Sequence, residues 1–332
     1  AMSQALVGWL AREQAAGKVA GVIGLGGSGG TALISPALRA LPIGLPKLMV
    51  STVASGNTAP YVDCSDFLMM YSVVDVSGLN VVSRTILGNA AHAMAGMVTH
   101  PKPLQRSQLA LGMTMFGVTT PCVTAVRQSL EAKGYDCLVF HATGTGGRAM
   151  EHLVDSGLIR GVLDITTTEV ADEVVGGVFP AGPHRFEKLL ASQVPLVLSV
   201  GALDMVNFGA SSTVPEPFRG RKLHVHNPQV TLMRTSVEEN REIARWIAEK
   251  LNRSVSPLVM LIPELGVSAL DAVGRPFHDP EADEALFDAL QNLVHQSPDR
   301  RVIRLPHHIN DPAFAQALVE QFEPLMQAAT GS

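Results

Sequence analysis

The segment Gly24-Leu25-Gly26-Gly27-Ser28-Gly29-Gly30-Thr31 follows the apolar run Val19-Ala20-Gly21-Val22-Ile23 and precedes a helix-like stretch. A loop so poor in side chains lets several backbone N–H groups converge on one ligand, and the helix behind it adds the positive end of its dipole. That combination restricts the chain to folds in which a strand feeds a helix N-terminus, and it makes phosphate or carboxylate the natural guest. A relative of the loop, Thr143-Gly144-Thr145-Gly146-Gly147-Arg148, recurs in the second half, so two anion cradles are expected.

The first loop meets two nucleotide templates in part. Against G-x-x-x-x-G-K-[ST] it has Gly24, Gly29 and Thr31 in place, but Gly30 stands where the phosphate-binding lysine belongs. Against G-x-G-x-x-G it has Gly24, Gly26 and Gly29, yet residues 44–52, about twenty positions on, offer no acid for a ribose hydroxyl. NAD is therefore disfavoured. A tight strand-to-helix turn needs only about one or two glycines, and five stand here.

The chain has 332 residues, 46% hydrophobic and 17% charged, with a formal net charge of -5. One large or two medium domains fit that length. Thirty glycines and 5% aromatics point to strands and helices packed closely through many βα turns. No basic run follows a phosphate backbone, which argues against nucleic acid as a partner. Cys64, Cys122 and Cys137 lack CxxC spacing, so neither a disulfide framework nor a cysteine zinc site is expected. With no apolar stretch near the roughly 20 residues a membrane span needs, and no signal-peptide pattern, a cytoplasmic protein is the expectation.

Local signals place the elements. Ser35-Pro36 reads as an N-cap followed by proline at the first helical position, predicting a short helix to Leu41. Residues 47–53 form a buried-strand run ending in Ala54-Ser55-Gly56-Asn57-Thr58, a small polar loop of the kind that sits over a ligand at a strand's C-terminal end. Over residues 77–98, Leu79, Val82, Ile86, Ala90, Ala93 and Met97 recur at helical spacing, while Gly88, Ala91, Ala95 and Gly96 keep the helix thin. Residues 100–107 break every periodicity and read as a linker. Strands are expected at 109–116, 137–141, 161–165, 195–201, 258–262 and 302–305. Ser236 with Glu239 makes a capping box, and Asp311-Pro312 opens the last helix. The predicted domains are residues 1–103, with the glycine loop at 24–31, and residues 107–330, with the loop at 143–148.

Aligning Ser28-Gly29-Gly30-Thr31-Ala32 with Thr145-Gly146-Gly147-Arg148-Ala149 adds an expectation. The second loop follows the second strand of its unit, whereas the first stands close to residue 1. The first unit is thus expected to lack an upstream βα portion, a departure from the dinucleotide fold, where the loop follows the first strand.

Several long segments resemble one family: residues 24–31, 49–57, 114–121 and 141–148, then Thr166-Thr167-Thr168-Glu169-Val170-Ala171-Asp172, residues 199–209, His226-Asn227-Pro228-Gln229 with its continuation to Thr235, and His308-Ile309-Asn310-Asp311-Pro312. It is the bacterial and fungal uncharacterised family that shares its domain with the N-terminal region of the tomato mosaic virus resistance protein. The resemblance spans nearly the whole chain. It implies an α/β fold with two Rossmann-like parallel-sheet subdomains, ATP binding with magnesium in the plant member, and dimerisation. It implies no settled reaction in bacteria. Members carry a further N-terminal βα portion, as the repeat alignment expects.

The candidate ligand-binding set is Gly26, Gly27, Ser28, Gly29, Gly30 and Thr31 in the first loop, with Thr52, Ser55, Gly56 and Asn57 after the next strand. In the second unit it is Thr143, Gly144, Thr145, Gly146, Gly147 and Arg148, with Thr167 and Thr168 as a polar rim. Arg148 is the expected phosphate or carboxylate clamp, standing at a helix N-terminus beside backbone donors. Glu169, Asp204 and His226, just past strands, are the candidate catalytic groups. Glu169 and Asp172 have the spacing of magnesium ligands or general bases and equally that of first-turn helix acids; His307 and His308 suit ligand binding or strand capping. No metal ligand set is assigned. The expected function is binding of a phosphorylated small molecule, ATP first, in a cleft between the subdomains of a symmetric homo-oligomer. An enzyme acting on a sugar-derived or other carboxylate without ATP, and an interaction module without turnover, are the alternatives.

Overall fold

The computed structural model describes residues 1–100 and 108–331, arranged as two compact units that divide between Arg106 and Ser107. Most of the linker expected at 100–107 lies outside the described residues.

The first unit runs α1 (Met2–Ala15), β1 (Val22–Gly26), α2 (Ser28–Arg39), β2 (Lys47–Ser51), α3 (Ala59–Val62), β3 (Leu68–Tyr71) and α4 (Val81–Thr99). Its sheet is parallel throughout, in the order β1-β2-β3. The central strand β2 is buried along its whole length. Side chains alternate across a strand, so its neighbours differ by face: Met49 packs with Leu38 of α2 and with Phe67, whereas Leu48 and Val50 pack with Ala90 and Met94 of α4. Lys47 opens this strand with its side chain fully buried, donating to the carbonyl of Pro42 at 2.7 Å and ion-paired to Asp66.

Helix α2 begins directly at the glycine loop and runs through Pro36, so the expected N-cap at Ser35 is corrected: Ser35 lies buried inside the helix. The buried stripe of Thr31, Ser35, Ala37 and Leu38 binds both halves of the helix to the sheet across the backbone bond that proline cannot donate. The predicted helix over 77–98 is α4, shortened at its start because Asn80 accepts from the N–H groups of Val82 and Ser83 at 2.9 Å each and fixes the cap.

The second unit runs β4 (Ala110–Met115), α5 (Thr120–Glu131), β5 (Asp136–His141), α6 (Thr145–Asp155), β6 (Ile159–Thr166), α7 (Thr168–Val175), α8 (Glu187–Ala191), β7 (Leu196–Gly201), β8 (Met205–Phe208), β9 (Leu223–Asn227), β10 (Val230–Arg234), α9 (Val237–Leu251), β11 (Leu258–Pro263), α10 (Pro280–Leu293), β12 (Arg300–Leu305) and α11 (Pro312–Thr330). Six parallel strands form one sheet in the order β12-β11-β7-β6-β4-β5. The chain adds β5 on one side of β4 and then crosses back to lay β6 on the other. One face packs Val162, Leu198 and Met260 against Ile243, Ile247, Leu286 and Leu290; the other packs Leu163, Val197 and Leu261 against Val126, Phe314, Leu318 and Phe322. Two Rossmann-like parallel sheets are thus present. A separate antiparallel sheet, β8-β10-β9, is an addition that the sequence reading lacked.

Candidate functional site

In each glycine loop a glycine caps the following helix and no side chain does, but the two caps differ in backbone conformation and in surroundings. In the first unit Gly27 is the N-cap of α2 and no side chain caps the helix. The first helical bond runs from the N–H of Thr31 to the carbonyl of Gly27 at 2.9 Å, which leaves the N–H groups of Ser28, Gly29 and Gly30 as the unmatched donors of a helix start. Thr31 is buried and bonds the Ser51 hydroxyl at 2.6 Å, tying the helix to the end of β2. Thr52 follows on that strand, and a β-carbon placed on Gly27 would sit 3.6 Å from its Oγ1. The polar loop after β2 therefore adjoins the glycine loop, as its sequence suggests. Ser55, Gly56 and Asn57 are exposed there, with Asn57 Oδ1 accepting from the N–H of Ala59 at 3.1 Å.

A β-carbon on Gly29 would meet nothing within 4 Å, and on Gly30 only a carbonyl at 3.6 Å. Neither glycine has a positive φ. Packing and backbone conformation alike leave room for a side chain at Gly29, and none is there.

In the second unit the corresponding space is filled by the protein itself. Gly144 takes φ +82, and its N–H donates to Glu169 Oε2 at 2.9 Å. A β-carbon on Gly146 would lie 1.9 Å from the His141 carbonyl, and one on Gly147 would lie 1.9 Å from Glu169 Oε1. Glu169 is fully buried and receives Arg185 Nε at 2.6 Å; Arg185 also donates to Glu151 at 2.7 Å and Asp164 at 2.6 Å. Burial pushes the Glu151 and Asp164 carboxyls upward, and the three acids hold the Arg185 guanidinium well above its ordinary value. The second loop is a carboxylate cradle, and its carboxylate is Glu169. Thr143 bonds back to the His141 carbonyl at 3.4 Å. Thr145 and Arg148 are exposed on the first turn of α6. Thr167 and Thr168 are buried rather than forming a rim, with Thr167 Oγ1 donating to the Ser199 carbonyl at 3.1 Å.

The three candidate catalytic groups occupy separate settings. Glu169 belongs to the Arg185 network. Asp204 is buried after β7, accepting from Ser268 Oγ at 2.7 Å, and burial with the charge of Asp271 pushes it up to about 7. His226 is exposed on β9 of the antiparallel sheet. His308 has both ring nitrogens engaged, with the Asn310 N–H at 3.1 Å and the Ser268 carbonyl at 2.8 Å. Asp172 accepts from the N–H groups of Asn207 at 2.7 Å and Phe179 at 2.8 Å, so it anchors β8 rather than facing a ligand.

Residues 1–103 match the N-terminal domain, and residues 108–326 the C-terminal domain, of an uncharacterised protein family, UPF0261. The chain belongs to the UPF0261 family. A UPF0261 protein of Rhizobium meliloti is 60% identical over 307 residues, covering 92% of this chain and 77% of the relative. One of Clostridium tetani is 51% identical over 326 residues, 98% of this chain and 80% of the relative. The ToMV resistance protein Tm-1(GCR237) of Solanum lycopersicum is 54% identical over 327 residues, 97% of this chain and 43% of the plant protein.

Sequence reasoning missed the partners that decide which cradle of this UPF0261 chain is open. Arg185, Glu151 and Asp164 are scattered single residues, brought together from the loop before α8, from α6 and from β6. Ser51 carried a faint signal, as a polar residue closing an apolar strand. Among the described residues no three His, Cys, Asp or Glu side chains gather as a metal site. Residues 24–31 and 51–58 contain no carboxylate. The first loop therefore does not fit a magnesium ion held by protein carboxylates.

Proposed function

We propose that this protein binds a small molecule through a phosphate or similar anionic group seated on the loop Gly26–Thr31. The observation that carries the reading is the empty space over Gly29, beside three unmatched amide donors. ATP is the first ligand to test, because the family resemblance points to it. Magnesium enters only as an ion carried by a nucleotide's own phosphates.

A second reading, a carboxylate metabolite, rests on charge. Gly30 replaces the lysine of phosphate loops, and two cations of the same unit are engaged elsewhere: Lys47 with Asp66, and Arg39 with the carbonyls of Pro60 and Tyr61 at 2.9 and 2.8 Å. Neutral amides and hydroxyls suit a singly charged guest better than a triphosphate. The proposal is of binding, with no reaction attached, since Glu169 and Asp204 are buried in the protein's own networks. A symmetric homodimer is part of the same reading, through the outer face of α4.

The test is Gly29→Val. Valine has a somewhat higher helix propensity than glycine and its β-carbon meets no atom within 4 Å, so the melting temperature is expected to hold or rise slightly. Its side chain covers the amides, so affinity for ATP, inorganic phosphate or a carboxylate, measured by titration calorimetry, is expected to fall at least about tenfold. Unchanged affinity in the folded variant rejects the loop as the site; binding of a carboxylate but not ATP selects the second reading.

A further inference from the structure

The loop between β3 and α4, residues 72–79, is tied at both ends and loosely held between them. At its start the Ser72 N–H donates to the Ser51 carbonyl at 3.2 Å, and at its end the Asn80 side chain caps α4. Among the described residues, the hydrogen bonds in between stay within the loop, apart from a long one from Ser83 Oγ to the Gly78 carbonyl at 3.5 Å. The Val74 N–H closes onto the Ser72 carbonyl at 2.7 Å, a three-residue turn that puts Val73 at φ +62. A β-branched residue at positive φ is strained, and strain of this kind gathers at ligand clamps and switch segments. Val73, Val76 and Leu79 are 54%, 39% and 64% exposed, three large apolar side chains on one short loop. A void of about 20 Å³ is lined by Val74 and Val76 of the loop and by Val50, Ile86 and Leu87, so the loop is not packed tightly on α4.

The sheet is parallel, so this loop leaves the same edge as the glycine loop and the loop after β2. Ser51 joins all three. Its hydroxyl meets Thr31 at 2.6 Å and accepts the Val53 N–H at 3.2 Å, while its carbonyl holds Ser72. With β2 between β1 and β3, the glycine loop and Ser72 stand two strand spacings apart, roughly 10 Å. A bare phosphate on the glycine loop is too small to touch both. Residues 72–79 contain no lysine or arginine, and the Asp75 carboxylate accepts from the Val76 N–H at 2.8 Å. The loop brings apolar surface to a ligand, and no positive charge.

We propose that residues 72–79 are a lid that closes Val73, Val76 and Leu79 onto the uncharged body of a ligand whose anionic group sits on Gly26–Thr31. The lid rests on the anion site proposed above and adds the class of guest, an anion carrying a base, ring or acyl chain that reaches across β2. Closure pivots at Val73 and Gly78, the two residues of the loop with positive φ. Burial of the exposed valines and leucine against the ligand drives it, and release of Val73 from its strained turn adds to that drive.

The experiment compares ATP with inorganic phosphate on the full chain, by titration calorimetry and by hydrogen exchange of residues 72–79. Acetate and octanoate make the same comparison for a carboxylate guest. The ligand with a body is expected to bind more tightly and to slow exchange in the loop at least about fivefold, whereas phosphate or acetate leaves the loop unchanged. In the double variant Val73→Asn with Leu79→Ser both positions are exposed, and asparagine tolerates the positive φ, so the fold is expected to hold. Affinity for the ligand with a body should then fall at least about tenfold, with phosphate or acetate affinity unchanged. Equal losses for both ligands of a pair, or no loss for either, overturn the lid. Wild-type loop exchange that no ligand slows overturns it too, whatever the variant does, and leaves the anion site standing. A wild type that binds none of the four overturns the anion site, and the lid with it.

Discussion

Gly29 and Gly146 hold matching places in the two loops, and they lack a side chain for different reasons. A β-carbon at Gly146 would collide with the His141 carbonyl, and one at Gly147, the counterpart of Gly30, would collide with Glu169. Both are glycine because the chain packs against them. Gly29 has open space above it, so packing does not demand it. Gly147→Ala is expected to push Glu169 off Arg185 and leave a buried guanidinium short of one partner, a loss of about 3–5 kcal/mol in urea denaturation of the second unit. A loss below about 1 kcal/mol would mean that the network repacks around the methyl.

Among the helices, α4 shows how far periodicity reaches. Its buried residues Ser83, Ala90 and Met94 face the sheet, while Gly88, Ala91, His92, Ala95 and Gly96 are half-buried or exposed. Of the apolar set spaced over 77–98, Ala90 is buried and Ile86, Ala93 and Met97 pack half-buried beside it, whereas Leu79 is exposed and precedes the helix; the small outer residues leave a thin surface that a second copy could approach closely. Ala91→Arg is expected to leave the fold intact, because Ala91 is exposed. It should convert a dimer to a monomer in sedimentation at micromolar concentration. A dimer that survives the arginine removes α4 from the interface, and a wild-type monomer at all concentrations removes the dimer. Helix α10 and the antiparallel strands β8, β9 and β10 escaped the sequence reading. Asp204 to Asn207 looked like a loop because polar residues flank it, yet Asn207 is buried in a strand, its side-chain amide 3.1 Å from Asp172.

At the scale of the whole chain, the second unit holds two apolar cores of its own, one on each face of its six-stranded sheet. Residues 107–332, expressed alone, are expected to unfold in one cooperative transition. A fragment that binds hydrophobic dye and melts without a transition would contradict that. No helix among the described residues is long and apolar enough to cross a membrane. The sequence by itself determined the parallel α/β plan, because apolar strand runs, glycine turns and helix caps are local signals that depend on a few adjacent residues. It also led to the expectation of two anion cradles, because amide donors and a helix dipole belong to the backbone. Only the tertiary structure decided that Glu169 fills the second loop and that the first stands open. Charge pairing between residues such as Glu169 and Arg185, or Asp283 and Arg234, depends on how distant segments pack, and no local pattern encodes it.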